Sequence, residues 1–324
     1  MPQFTLRTVA FACALAAAMS GSNAADYPDK SIRFVALNPP GGVSDTVARV
    51  IGERLADAYG QAFVVDNRVG ASGIIGSEIV AKAPPDGYTL LLGFAGNLAI
   101  NPSLYRKLPY DPLKDFAPIS LAARSPVIVV ANTALPAKSI KELIALAKTS
   151  PGELRYASSG VGNGNHLAAE LFAYSAGIKL LHVPYKGGPP ALTAVIQNEA
   201  AFMFGNAAFV LPQVKAGRVR ALAVTTEQRL AGLPDVPTMV ESGVPDFIVT
   251  TWFGVLAPAR TPTAIITKLN KGVVAALSEE KVRQKLEVAG VMPSPSTPQQ
   301  FGELIKSEIA RWREVVQRTG VRAE

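Results

Sequence analysis

Two glycine-rich turns contain the residues best suited to bind an anion. One reads PPGG at residues 39–42, and the other reads SSGVGNG at residues 158–164. Each follows a short apolar strand and precedes a helical pattern. Glycine lets the backbone approach a ligand closely, and the first amides of a helix lack intrahelical partners and carry partial positive charge. The turns therefore predict two halves of a carboxylate site that requires no basic side chain.

Strands and helices alternate around the first turn. Apolar strands are predicted at residues 31–37, 63–65 and 88–94, with a helix after each of the first two and another glycine-rich loop at 66–76. This order is typical of a parallel sheet with right-handed crossovers. The loop that leaves the third strand, residues 95–102, is then expected at the same carboxyl edge as the first turn. Open sheets bind ligands at that edge.

The pattern restarts after residue 124. Ser139 and Glu142 form a capping box that begins a helix, and later helices are expected to start near Thr261, Ser278 and Thr297. A long loop is predicted at 229–247. Further strands are predicted at 127–131, 155–157, 180–183, 201–204, 219–225 and 248–257.

Two similar α/β lobes follow from these patterns, each a mostly parallel sheet flanked by helices. The first lobe would comprise residues 26–123 and 251–324, and the second would comprise residues 124–250. Crossings at 117–124 and 250–257 would join them. The cleft between such lobes is the expected ligand site, and its closure would be a hinge movement about the crossings.

Residues 1–25 have the form of a secretory signal peptide. Arg7 precedes an apolar run from Val9 to Met19, and small residues fit cleavage after Ala24 or Ala25. The run is too short to span a bilayer, and no later stretch is long and apolar enough. We therefore expect a free periplasmic protein.

Cysteine, histidine and charge exclude several kinds of site. The only cysteine, Cys13, lies in the leader, so the mature part would have no disulfide, thiol nucleophile or cysteine metal site. His166 and His182 lack metal-site spacing; His166 is open to a ligand contact or to local packing, and His182 is expected to be structural. The net charge is +7, but basic residues are scattered singly, which favours an anionic solute over nucleic acid.

Five segments together resemble one protein family. They are PPGGVSDTVAR at 39–49, DNRVGASGIIG at 66–76, PPDGYTLLLG at 84–93, YASSGVGNGNHLAAELF at 156–172 and HVPYKGGPPAL at 182–192. In this order they resemble the Bug-type (TctC) periplasmic solute-binding receptors of tripartite tricarboxylate transporters. The resemblance implies a two-lobed periplasmic-binding-protein (Venus flytrap) fold that holds a small carboxylate between two strand-turn-helix motifs. It also implies membrane transporter components as partners and no catalysis; we expect a monomer without cofactor or metal.

Matching motifs assign the site residues that this resemblance implies. The first half would comprise Gly41, Gly42, Ser44 and Asp45, with Ala71, Ser72 and Asn97 close by. The second half would comprise Ser158, Ser159, Gly160, Gly162, Asn163 and His166, with Tyr185, Lys186 and Gly187 beside them.

Two of the assigned positions leave alternatives open. Asp45 lies four residues before Arg49 and is open to capping its helix or to shaping the pocket. Asn206 stands at or beside a position where many relatives carry an acid that could pair with a ligand ammonium. Because a buried ammonium without a partner is costly, Asn206 favours a carboxylate without an amine, either a dicarboxylate or an aromatic acid.

The alternative class is a periplasmic enzyme, either nucleotide-cofactor-dependent or hydrolytic. Gly160, Gly162 and Gly164 have G-x-G-x-G spacing, and no acidic residue follows at the distance that a ribose requires. The chain lacks the G-x-S-x-G motif, so Ser159 near His166 is the only hydrolase candidate. The sequence therefore favours a receptor over an enzyme.

Overall fold

A computed structural model of the chain describes residues 27–288 and 290–322. The predicted signal peptide lies outside these residues. The strands are β1 Ile32–Ala36, β2 Phe63–Asn67, β3 Thr89–Phe94, β4 Phe116–Asn132, β5 Arg155–Ser158, β6 Leu181–Pro184, β7 Phe202–Asn206, β8 Val219–Val224, β9 Thr250–Pro258 and β10 Met292–Pro293. The α-helices are α1 Val43–Tyr59, α2 Ile74–Ala81, α3 Asn101–Leu104, α4 Ile140–Thr149, α5 Gly164–Ala176, α6 Gly188–Ile196, α7 Ala207–Lys215, α8 Thr263–Ser278, α9 Glu280–Val288 and α10 Pro298–Thr319.

The strands form one curled sheet in the order β2-β1-β3-β9-β4-β7-β5-β6, with β8 and β10 also paired to β4. β1 is parallel to β2 and β3 in one half, and β5 is parallel to β6 and β7 in the other. β4 and β9 pair antiparallel between the two groups. The predicted two-lobed α/β fold is confirmed, whereas the residue boundaries of the lobes stay a prediction.

One strand, β4, passes through both halves of the sheet. Its 17 residues combine the predicted crossing at 117–124 with the separately predicted strand at 127–131. The prediction of two separate elements was therefore wrong. The strand contains Pro118 and Pro126, which cannot donate a backbone hydrogen bond to a strand ladder. Pro118 lies at a register shift, and Pro126 is the last residue paired with β9 before Val127 begins the pairing with β7. Both prolines therefore stand where the ladder is already interrupted.

The predicted exit loop at 95–102 was also wrong, because most of it is helical. A π-helical turn at Gly96–Ile100 leads directly into α3. Leu98, Ala99 and Ile100 are fully buried, which explains the difference. Three successive apolar residues on an exposed loop would lose the burial that the helical turn provides.

The central strands form the core. β4 and β9 are buried along most of their length, and a smaller cluster around Ile128, Val130 and Met203 packs under α6 and α7. None of the helices within residues 27–288 and 290–322 is long and apolar enough to cross a membrane. In the same part of the chain, no three His, Cys, Asp or Glu side chains lie close enough together to hold a metal ion.

Candidate functional site

Two adjoining cavities lie between the halves of the sheet. The inner chamber has a volume of about 50 Å³, and the outer chamber has a volume of about 540 Å³. They share the lining residues Asn38, Pro39, Phe94, Ser159, Asn163 and Gly187. Both predicted turns therefore border the same space.

Four helices begin at the inner chamber. Their N-cap residues all line it and make no side-chain cap hydrogen bond: Gly42 for α1, Asn163 for α5, Gly187 for α6 and Asn206 for α7. Helix starts carry partial positive charge from their unpaired amides. Their convergence makes the chamber favourable for an anionic oxygen.

The first turn is held together by its own side chains. The backbone amide of Asn38 donates to the hydroxyl of Ser44 at 3.0 Å, and the backbone amide of Ser44 donates to the side-chain oxygen Oδ1 of Asn38 at 3.2 Å. Asp45 accepts hydrogen bonds from the Gly41 amide at 3.0 Å and from Arg49, at 3.0 and 3.1 Å. Burial acts to raise the pKa of Asp45, but these hydrogen bonds, with one from Asn67, together outweigh it and hold the pKa below its usual value. Asp45 thus fixes the turn without lining either chamber.

The second turn lies over two stacked imidazoles. The rings of His166 and His182 stack with centroids 4.0 Å apart. His166 Nδ1 accepts the Gly162 amide at 3.2 Å, and His182 Nε2 lies 2.6 Å from the hydroxyl of Ser158. The imidazoles therefore hold two points of the turn from beneath.

Both imidazoles are neutral at pH 7. Burial lowers the pKa of His166 to about 3, with a smaller contribution from neighbouring His182, and burial lowers the pKa of His182 to about 4. Glu170 lies 4.0 Å from His166 Nε2 and accepts a hydrogen bond from Tyr156. The structural expectation for His182 agrees with this geometry, and His166 packs in the same way.

Ten of the predicted site residues line a chamber. They are Gly42, Ala71, Ser72, Ser159, Gly160, Asn163, Tyr185, Lys186, Gly187 and Asn206. The others line neither chamber: Gly41, Ser44, Asp45, Asn97, Ser158, Gly162 and His166. Asn97, for example, is fully buried, accepts the Phe94 amide at 2.7 Å and donates to the Ser77 hydroxyl at 2.9 Å.

Some lining residues were missed by sequence reasoning. Thr251 and Phe253 project from β9, and Tyr105 follows α3. Asn38 and Phe94 stand at the ends of predicted strands, so their places at the carboxyl edge could have identified them. No local pattern identifies Thr251, because β9 reaches the site only through long-range pairing.

Charge is sparse around both chambers. Among the described residues that line them, Lys186 is the only charged one, and it lies in the outer chamber. No aspartate or glutamate lines either chamber in this part of the chain. Asn206 is buried, and its side-chain oxygen accepts from the Thr251 hydroxyl at 3.2 Å.

Comparisons with known proteins identify relatives of this chain. Residues 47–321 match the tripartite tricarboxylate transporter family receptor (TctC). Protein BugT of Bordetella pertussis is 39% identical over 91% of this chain and 91% of its own length. An R. palustris protein solved with adipate is 39% identical with a TM-score of 0.88, covering 91% of this chain and 99% of that one.

A second solved structure extends the likeness to another ligand. MatC from Rhodopseudomonas palustris with bound malate is 33% identical with a TM-score of 0.85, covering 90% of this chain and 100% of that one. The family match begins within α1, just after the first turn, and covers the second turn and the helices that follow β9. The chain belongs to the tripartite tricarboxylate transporter receptor family, as its five sequence segments predicted.

Proposed function

We propose that this protein is a periplasmic receptor that captures a small carboxylate between its lobes and delivers it to the membrane components of a tripartite tricarboxylate transporter. The convergence of four helix starts without N-cap side chains on the inner chamber carries this proposal. Such amides stabilise a carboxylate without a basic residue. In this proposal residues 1–25 direct export, and the exported protein acts as a monomer.

The ligand would be a carboxylate without an amine. An ammonium group needs an anionic partner when it is buried, and the described lining residues provide none. Asn206 offers an amide at the inner chamber instead. The ligands named for two solved relatives, adipate and malate, are acids of this kind.

The chamber sizes indicate how such a ligand would lie. A single water requires about 10–15 Å³, so the inner chamber of about 50 Å³ accommodates a carboxylate and little more. The remainder of the ligand would occupy the outer chamber beside Phe94, Tyr105 and Tyr185. Lys186 could there pair with a second anionic group, which favours a dicarboxylate over an aromatic monoacid.

One contact in the structure bears on a hydrolytic role. Ser158 and His182 form a hydrogen-bonded Ser–His pair, different from the Ser159 and His166 pair suggested by the sequence. Ser158 is fully buried, however, and lines neither chamber. A nucleophile must reach its substrate, so this pair favours a structural role over catalysis.

Thermal unfolding with a ligand panel tests the proposal. The panel contains linear dicarboxylates of increasing length, the monocarboxylates of matched length, benzoate, glutamate and a neutral sugar. A true ligand at one hundred times its dissociation constant should raise the apparent free energy of unfolding by about 2.7 kcal/mol. Stabilisation by the sugar but by no carboxylate would contradict the proposal, as would turnover of an ester substrate.

A further inference from the structure

A strained loop borders the outer chamber in the first half of the molecule. Ala71 and Ser72 have φ angles of 44° and 51°, in the left-handed region. Residues with a Cβ adopt this region at a cost, and they persist there only where the surrounding structure holds them. Gly70 and Gly73 flank the pair, so glycine already serves this loop at its other positive-φ positions. The presence of serine rather than glycine at position 72 therefore requires an interaction that offsets the backbone strain.

The hydroxyl of Ser72 makes such an interaction, because it forms a hydrogen bond across the cleft. It donates a hydrogen bond to the backbone carbonyl of Val161, which lies in the second turn between Gly160 and Gly162. The bond joins the two halves of the site directly. It uses a backbone acceptor and involves no ligand atom.

Asn101 holds the strained loop from behind. Its side-chain amide donates to the Ser72 carbonyl at 3.2 Å, and the residue is fully buried without lining either chamber. Its side-chain oxygen is buried and has no hydrogen-bond partner among the described residues. A Cβ on Gly162 would lie 3.4 Å from this oxygen and 3.4 Å from the Ser72 hydroxyl. The loop, Asn101 and the second turn therefore meet at one point of the cleft.

We propose that Ser72 is a latch that stabilises the closed arrangement of the two lobes, with Asn101 as its positioning residue. The effect on ligand affinity rests on the receptor function proposed above, but the latch itself acts in the ligand-free protein. Opening must break the Ser72–Val161 bond before a ligand can leave. The latch therefore raises the affinity for every ligand by the same factor, because it changes the population of the closed state and not the contacts within it.

Two substitutions at one position separate the hydroxyl from the strain. Ser72→Ala keeps the Cβ and the strained backbone but removes the donor, whereas Ser72→Gly removes both. Spin labels at Val64→Cys and Leu181→Cys, exposed positions on the outermost strands, report the distance between the lobes. Ser278→Ala is the matched control, since that hydroxyl donates to Val274 within its own helix.

We expect both Ser72 variants to shift the ligand-free distance distribution towards longer values. Affinity should fall by about fivefold, the effect of one lost hydrogen bond. The loss should come from faster dissociation and should be equal for three carboxylates of different length. Asn101→Leu should act in the same direction with a smaller effect, while Ser278→Ala should change neither measurement.

Three results would overturn the latch. An unchanged distance distribution in ligand-free Ser72→Ala would show that the hydroxyl does not hold the lobes together. A loss of affinity that differs between ligands would make Ser72 a direct contact. Wild-type affinity in Ser72→Gly would assign the effect to backbone strain. If the wild-type protein binds no carboxylate, the receptor proposal fails, and the distance measurement still decides the latch.

Discussion

Two helices away from the cleft, α4 and α10, begin in a different way from the four helices at the inner chamber. α4 begins at Ser139, whose hydroxyl accepts the Glu142 amide at 3.2 Å. α10 begins at Thr297 with a complete capping box, in which the Thr297 hydroxyl and the Gln300 side chain each accept the other's amide. Both helices therefore satisfy an end amide with a local side chain.

The four helices at the inner chamber have no side-chain hydrogen bond at the N-cap position. Gly42 and Gly187 have no side chain that could cap, and Asn163 directs its amide to the Ser159 carbonyl at 2.9 Å. α8 also begins without a cap, at Pro262, which lines neither chamber. At α4 and α10 a side chain of the same helix satisfies an end amide. At the four helix starts on the inner chamber no side chain does so, and these amides remain available for a ligand. The difference indicates that binding uses end groups that a purely structural helix would satisfy itself.

The strongest test of this comparison places a carboxylate at a cleft helix start. Asn206→Asp is nearly isosteric and puts a negative charge at the N-cap of α7. Two like charges about 4 Å apart repel by ~4 kcal/mol at an effective dielectric constant of 20, so carboxylate affinity should fall by about 100-fold or more. Calorimetric titration measures the loss. Ser139→Asp is the matched control at an outer helix and should bind normally; unchanged affinity in Asn206→Asp would remove this helix start from the site.

Acidification should destabilise a helix start at the cleft before a capped helix start away from it. Between pH 6.5 and about 4, the unfolded chain protonates His166 and His182 while the folded chain keeps them neutral. The free energy of unfolding should therefore fall by several kcal/mol as pH falls through this window. Hydrogen exchange should increase first at the start of α5, which the imidazoles support, before the hydroxyl-capped start of α10.

A variant isolates the contribution of the imidazoles to this acid sensitivity. His182→Gln keeps a polar partner for Ser158 but cannot be protonated. Its unfolding free energy should depend less on pH between 6.5 and 4 than that of the wild type. An equal slope in both proteins would assign the acid sensitivity to carboxylates elsewhere.

Removal of an outer cap should change stability alone. Ser139→Ala and Thr297→Ala should each lower the free energy of unfolding by about 1 kcal/mol, because an end amide loses its acceptor. Denaturant titration measures this loss, and ligand titration should give wild-type affinity. A weakened affinity in either variant would break the distinction between structural and binding helix starts.

The smallest effect is expected at the surface of α1. Arg49 pairs with Asp45 at 2.9 Å, and its side chain is 54% exposed. Arg49→Ala should therefore lower the free energy of unfolding by only about 0.5 kcal/mol. Asp45 keeps its bonds to Gly41 and Asn67, so the turn should survive and bind ligand. A large loss of binding would mean that Arg49 is needed to hold the first turn.

Local patterns in the sequence predicted the turns but not the surfaces that face them. Glycine and capping residues act within a few positions, so PPGG and SSGVGNG could be placed directly before helices. Thr251 and Phe253 reach the inner chamber through pairing of β9 with β3 and β4. Which strand lies beside which is decided by the burial of the whole sheet, and no short pattern records it.

The stacked histidines are another feature that the sequence pattern could not predict, because their contact depends on how the strands pair. His182 is paired in register with Tyr156 on β5, and α5 brings His166 over it. Sequence spacing excluded a metal site but could not reveal the stack. The prediction for the loop at 95–102 failed for a related reason, since polar Asn97 and Asn101 resembled loop residues while their side chains are buried and largely hydrogen-bonded inside the fold.

The route of β9 also determines how the chain must fold. β3 and the first half of β4 pair with β9, a strand more than 120 residues beyond the first half of β4. Until residues 250–258 arrive, β3 has an open edge in a partly formed sheet, and open edges promote aggregation. Such long-range pairing gives a high contact order and slow folding. The half of the sheet that contains β3 is therefore complete only once residues 250–258 have paired with it.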